Sequence, residues 1–159
     1  MDLAAVARRL EIEELYANYA DCLDADRLEE WPEFFTEDCA YRVTSAENFE
    51  AGLPLGIIYA TSKNMLVDRV MALRKANIYE PQRYRHLIAN IKITGSTGEA
   101  IDVAANFMVV RTMQDGAMTL FAAGRYIDRM VRTEAGWKFA GKQVVLDSRQ
   151  IDTLLALPL

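Results

Sequence analysis

The hydrophobic period of this chain changes once along its length, and that change restricts the folds open to it. Before about Lys75 the longest apolar patterns have helical spacing, with only short strands and a loop between them, whereas after Pro81 the apolar residues alternate in successive long runs. Helices first and an antiparallel meander last make an α+β domain. The sheet is expected to curl around the helices, because its apolar face needs a cover.

Asp2 is placed to cap a first helix. Its apolar stripe runs through Ile12, Leu15, Tyr16, Tyr19, Cys22 and Leu23, with Glu11, Glu13, Glu14 and Asn18 filling much of the other side. A second short helix is expected from Arg27 to Phe35, with Asp24 or Asp26 near its start and Pro32 as an awkward interior residue. Cys39–Thr44 reads as a short strand. Between Ala46 and Thr61 the residues Gly52, Pro54 and Gly56 signal a loop, interrupted by a short strand at Ile57–Tyr59. Thr61 or Ser62 can cap a third helix, in which Met65, Leu66, Arg69, Val70 and Leu73 keep the period to about Lys75.

Beyond Pro81, Leu87, Ala89, Ile91 and Ile93 alternate with His86, Ile88, Asn90 and Lys92. Gly95–Gly98 reads as a turn, followed by the alternating run Ile101, Val103, Ala105, Phe107, Val109. Asp115-Gly116 is a hairpin signal. Met118–Arg132 and Trp137–Asp147 supply two more strands, joined by Thr133–Gly136.

The 159 residues, 52% hydrophobic and 26% charged, hold no repeat, low-complexity run or linker-like stretch. Residues 1–159 therefore read as a single domain, with 148–159 as an apolar C-terminal tail. No apolar stretch approaches the roughly 18 residues of a membrane span. Arg8, Arg9 and Glu11 break any signal-peptide core, so a cytoplasmic location is expected, with no membrane partner. The net charge of −5 argues against wholesale binding of a nucleic-acid backbone. Cys22 and Cys39 form no C-x-x-C and read as buried small hydrophobes.

Histidine is the most informative count, because His86 is the only one. A Rieske centre takes two cysteines and two histidines, and a facial-triad iron takes two histidines and a carboxylate. This chain alone builds neither. His86 is still a candidate for acid–base work, since histidine titrates near neutrality. On a strand face shared with Asn90 it would meet Tyr16, Tyr19 or Asp24 of the first helix; the plainer reading is a strand-end histidine bonded at an interface. The carboxylates Asp21, Asp24, Asp26, Glu29, Glu30 and Glu33 lack calcium-loop spacing and read as helix-start charge on a solvated face. Gly52–Gly56 matches no phosphate loop, and no serine carries a histidine-plus-carboxylate pattern. Met108, Met113, Met118 and Met130 read as core or interface filler.

Two segments point to contacts between chains. Tyr79–His86 mixes arginine with tyrosine, residue types enriched at interface hot spots, and a protein contact fits it better than nucleic acid. The last six residues, Leu154–Leu159, are all apolar and costly to leave in water. They pack either onto their own domain or against another chain, and the second is favoured. The expected subunit-interface residues are Arg83, Tyr84, Arg85 and His86 together with Leu154, Leu155, Leu157 and Leu159.

Read in order, Tyr19–Asp24, Trp31–Tyr41, Asp68-Arg69-Val70, Tyr79-Glu80-Pro81, Tyr84–Ile88 and Phe121–Tyr126 resemble the small (β) subunits of aromatic-ring-hydroxylating (Rieske non-haem iron) dioxygenases over nearly the whole chain. Ala76–Glu80 and Asp152–Leu159 carry a narrower likeness to the branch acting on terephthalate; the salicylate and anthranilate branches look similar too. The resemblance implies a cone-shaped NTF2-like fold, of the scytalone dehydratase type. It also implies an α3β3 assembly with a catalytic α subunit and other β subunits. The Rieske [2Fe-2S] cluster and mononuclear Fe(II) would sit in α, with electrons arriving from NAD(P)H through a reductase. The reaction implied is dihydroxylation of an aromatic carboxylate, terephthalate being the narrower expectation. No catalytic, cofactor-binding or metal-binding residue is carried over to this chain, which is expected to be structural. Two other readings compete. One is a stand-alone dehydratase or isomerase using His86, Tyr16, Tyr19 and Asp24 in the cone interior, although a scytalone-dehydratase-like site uses a pair of histidines. The other is a ligand-binding homo-oligomer.

Overall fold

The computed structural model describes residues 2–54, 56–76, 81–148 and 157–159. Helix α1 (Leu3–Asp24) starts where expected: the Asp2 carboxylate accepts from the Ala4 N–H at 3.0 Å. It buries Ile12, Tyr16, Tyr19, Cys22 and Leu23. Asp26, at φ 58°, then takes the left-handed conformation that ends many helices.

The helix expected over Arg27–Phe35 is instead a turn followed by a 3₁₀ helix at Trp31–Phe34. Pro32 explains the difference. A proline in the first turn gives up an N–H that has no intrahelical acceptor anyway, but deeper in an α-helix it breaks a bond. Phe35 already belongs to β1 (Phe35–Ser45). The segment read as loop after Ala46 begins with a short helix, α2 (Ala46–Glu50), capped by the Ser45 hydroxyl accepting from Asn48 N–H at 3.2 Å. Strand β2 (Ile58–Ala60) and helix α3 (Lys63–Ala76) follow. The Ser62 hydroxyl accepts from Met65 N–H, and α3 buries Leu66 and Val70.

The meander is β3 (Gln82–Thr97), β4 (Ala100–Met113), β5 (Met118–Thr133) and β6 (Gly136–Leu146), closed by tight turns with Gly98, Gly116 and Gly136 at positive φ. The sheet order is β2-β1-β6-β5-β4-β3; β1 lies parallel to β6 and every other pair is antiparallel. Gly124 is obligatory at the β5–β6 crossing: a Cβ there would stand 1.9 Å from the Val145 carbonyl oxygen.

The face of β3 is opposite to the one its apolar residues suggest. Tyr84 and His86 are buried and Ile88 half-buried, while Leu87 is 47% exposed. A bulge resolves the conflict: Asn90 sits at φ 54° and the register with β4 shifts between Ala89 and Lys92, so that Ile91 also turns inward. α1 packs along this strand, which is the sheet's edge. The His86 N–H donates to both Asp24 carboxylate oxygens at 3.0 and 3.1 Å, which blunts that edge.

Candidate functional site: the cone interior

Two strand rows carry polar side chains into the core. Along β5, Tyr126, Asp128 and Met130 point inward, and along β6 Phe139, Lys142 and Val144 do the same. Asp128 and Lys142 are direct cross-strand partners, both side chains have no solvent exposure, and Lys142 Nζ lies 2.9 Å from Asp128 Oδ2. The same oxygen accepts from Tyr16 OH at 2.6 Å. Around the ammonium stand four rings, with Nζ 3.5 Å from the Tyr126 centroid, 4.4 Å from Phe139, 4.6 Å from Tyr19 and 5.3 Å from Tyr16.

Burial pushes the Lys142 amine down to about 8, against the opposing pull of Asp128, and pushes the Asp128 carboxyl up. It also holds the Tyr16, Tyr19, Tyr41 and Tyr126 phenols far above their ordinary range, and the Cys22 and Cys39 thiols at about 11. Both cysteines are buried and unpaired with each other.

Leu157 and Leu159 fill one end of this interior. Leu157 and Leu159 join the core cluster, and the Leu159 main-chain oxygen accepts from Tyr19 OH at 2.7 Å and Tyr41 OH at 3.0 Å. Trp31 Nε1 donates in turn to Tyr19 OH at 3.1 Å. Of the two fates open to the tail, packing onto its own domain is the one Leu157 and Leu159 adopt, because two tyrosine hydroxyls and an apolar end of the interior await them. Leu154 and Leu155 lie outside the described residues.

The sequence named Tyr16, Tyr19, Asp24 and His86 as pocket groups, and the fold divides them. His86 Nδ1 and Asp24 Oδ1 are 2.6 Å apart, with the imidazole fully buried and its Nε2 without a partner among the described residues. Tyr16 turns to Asp128 and Tyr19 to Leu159. The His86–Asp24 pair forms part of the wall of a polar cleft of about 660 Å³ between α1 and β3, with Arg9, Glu13, Ala17 and Ala20. It fastens α1 to the edge strand. Of the expected interface residues, Arg83 and Arg85 are exposed, whereas Tyr84 and His86 are buried. Among the described residues, no three His, Cys, Asp or Glu side chains gather as metal ligands, and no helix is long and apolar enough to cross a membrane.

Lys142 and Asp128 escaped the sequence reading, though a signal exists for each. Both fall on the inward alternation of their strands, two residues from Val144 and from Tyr126 respectively. A charged residue in an apolar register is either a register error or half of a buried pair.

A curled six-stranded sheet wrapped over helices, its cone filled by aromatic rings and a buried ion pair, is an NTF2-like α+β domain in which Tyr16, Asp128 Oδ2 and Lys142 bond one another and Tyr19 and Tyr41 bond Leu159, while Tyr126 OH and Asp128 Oδ1 have no partner among the described residues. The chain matches the family described as ring hydroxylating beta subunit over residues 18–153. It is 44% identical to the small subunit of anthranilate 1,2-dioxygenase from Burkholderia cepacia, covering 94% of this chain and 92% of that one. It is 42% identical to the β1 subunit of the terminal oxygenase component of terephthalate 1,2-dioxygenase from Comamonas sp, covering 94% and 97%. A crystal structure from Novosphingobium aromaticivorans, described as the β subunit of an aromatic-ring-hydroxylating dioxygenase, superposes with a TM-score of 0.89 at 40% identity, over 99% of this chain and 100% of that one. The chain belongs to the family of ring-hydroxylating dioxygenase β subunits, small subunits whose catalytic component is the partner α subunit.

Proposed function

We propose that this chain is the non-catalytic structural β subunit of an α3β3 oxygenase that dihydroxylates an aromatic carboxylate, with terephthalate as the first substrate to test and anthranilate as the second. The observation that carries the reading is the interior: Tyr16, Asp128 and Lys142 answer one another, and Tyr19 and Tyr41 hold Leu159. The polar side chains that a fold of this shape would use on a substrate here hold the subunit together. With one histidine in the chain, the His₂ sets of a Rieske cluster and of a mononuclear iron belong to α, with electrons supplied from NAD(P)H through a reductase. No step of the oxygenation is routed through residues of this chain. In this reading the complex works in the cytoplasm. The identities of 44% and 42% to anthranilate and terephthalate small subunits support an aromatic carboxylate and do not rank the two acids. Exposed Arg83 and Arg85 are the expected interface residues available for a subunit contact.

The test is co-purification of the tagged chain from its native host, with mass and iron content measured on the complex. A larger partner with a Rieske spectrum and turnover of either acid supports the reading. An iron-free preparation sinks it and turns attention to the second reading, a stand-alone acid–base enzyme, which favours His86 because its Nε2 has no partner among the described residues. In that case dehydration or isomerisation by the pure chain is lost in His86→Ala.

A further inference from the structure

The sheet face turned away from α1 and α3 holds a trough of about 680 Å³. One cross-strand row runs through it: Tyr59 of β2, Arg42 of β1, Gln143 of β6, Ile127 of β5 and Ala104 of β4 are successive partners. In the next row Ala40 pairs with Gly141, and Gly141 with Arg129. The small residues Ala40, Ala104 and Gly141 give the trough its depth. A Cβ on Gly141 would meet only the Arg129 Cβ, at 3.9 Å, so the space above that backbone is open. Asp128 and Lys142 also border the trough, but alternation sends their side chains into the core.

The groups around this floor favour an anion at one end. Arg42, Arg125 and Arg129 stand there against one carboxylate, Asp102, which Arg129 already holds at 3.0 Å. Arg42 is fixed by Gln143 Oε1 at 2.7 Å and by the Leu53 carbonyl at 3.2 Å. Its Nε is buried without a partner among the described residues. Arg125 is the diagonal neighbour of Gln143, and its guanidinium lies 5.8 Å from the Phe49 ring centroid. Among the described residues neither Arg42 nor Arg125 has a carboxylate partner. The far end is different, since Asp102 borders it and Asp38 is exposed on β1 two residues before Ala40.

We propose that the trough binds a small aromatic monocarboxylate, its ring over Ile127, Ala104 and Gly141 and its carboxylate between Arg42 and Arg125. An apolar floor alone takes any apolar group, and two arginines alone take any anion. Together they select a molecule that is flat and apolar at one end and anionic at the other. A second carboxylate on the ring would approach Asp102 and gain nothing. The proposal goes beyond the structural role above and stands or falls separately from it, because every group named belongs to this chain.

Calorimetric titration of the full chain with benzoate at about 0.05 M salt, together with amide chemical-shift mapping, reads the outcome. One saturable site is expected, with shifts centred on Ala104, Ile127 and Gly141. Arg125→Ala should weaken binding at least about tenfold, through loss of a charge-assisted hydrogen bond. Ala104→Leu fills the trough without touching a charge and should weaken it as much. Acetate lacks the ring and benzamide lacks the charge, so each should bind at least about tenfold more weakly than benzoate. Terephthalate should bind no more tightly than benzoate. The ligand series needs only the wild-type chain, so it decides even where a substitution fails to fold. Four results overturn the proposal: no saturable binding up to about 10 mM benzoate, acetate or benzamide equal to benzoate, a folded Ala104→Leu chain that binds as wild type does, or shifts centred elsewhere in the molecule.

Discussion

Replacing Lys142 by methionine removes the ammonium while keeping most of the side chain's volume, so it tests the ion pair rather than the packing. At 2.9 Å, with an effective dielectric of about 20, the attraction to Asp128 is about 6 kcal/mol, and the Tyr126 face contributes on the order of 2 kcal/mol to a desolvated cation. Desolvation of the two ions, several kcal/mol each, offsets most of that gain. The intact pair is therefore worth little net, but half of it is expensive. Lys142→Met should cost about 3 kcal/mol at neutral pH, the low end of the usual 3–5 range, because Tyr16 still donates to Asp128. Lys142→Met with Asp128→Asn should recover most of the loss.

The pH dependence has a definite sign. A lysine held at about 8 in the fold and near 10.5 unfolded binds more protons when unfolded between those values, so its contribution to stability rises with pH across that window. Urea unfolding of wild type and Lys142→Met from about pH 7 to 10 isolates this term as a difference, since the tyrosines and the cysteines are common to both. A single-variant cost below about 1 kcal/mol, or a double variant that costs the sum of the singles, would show that the pair does not act as a buried unit.

Three further outcomes follow from contacts already described. Leu159→Ala should lose about 2–4 kcal/mol in chemical denaturation, since the side chain is fully buried; a change below about 1 kcal/mol would mean Leu159 does not occupy the core in solution. Gly124→Ala should cost about 3 kcal/mol or abolish soluble expression, because its Cβ must displace the β6 backbone; a wild-type melting curve would contradict that crossing. Asp24→Ala should cost about 2–3 kcal/mol and raise amide exchange at His86 at least about tenfold, since that N–H loses its acceptor; unchanged protection would disprove the edge clamp.

Much of the architecture was legible because it is written in local periods. The α1 stripe, the Asp2 cap, α3 and the four long strands follow from spacing that any short window shows. The family likeness was legible for a different reason: its short blocks follow one another in order along the chain. What was misread lies where a local rule meets a distant partner. Arg27–Phe35 has the composition of a helix, but Trp31 and Phe35 are taken into the aromatic core and Pro32 limits the turn. At the end of the chain, two tyrosines at distant positions claim Leu159, a pairing that composition does not show.

The sequence by itself determined the order of elements, the absence of a two-histidine iron set and the placing of charge and apolarity along each strand. The tertiary structure decided which residues oppose one another, and single-residue bulges carry that decision. Near Asn90 one bulge turns His86 and Tyr84 inward and Leu87 out. In the β5–β6 hairpin, Met130 pairs with Phe139 but Arg129 pairs with Gly141, so Ala140 is the extra residue that sets Lys142 opposite Asp128. Without that bulge, Asp128 would face Gly141 and the core would hold an unpaired carboxylate. A strand's period states which residues share a face; one inserted residue, stabilised only by the packed sheet, states which of them meet.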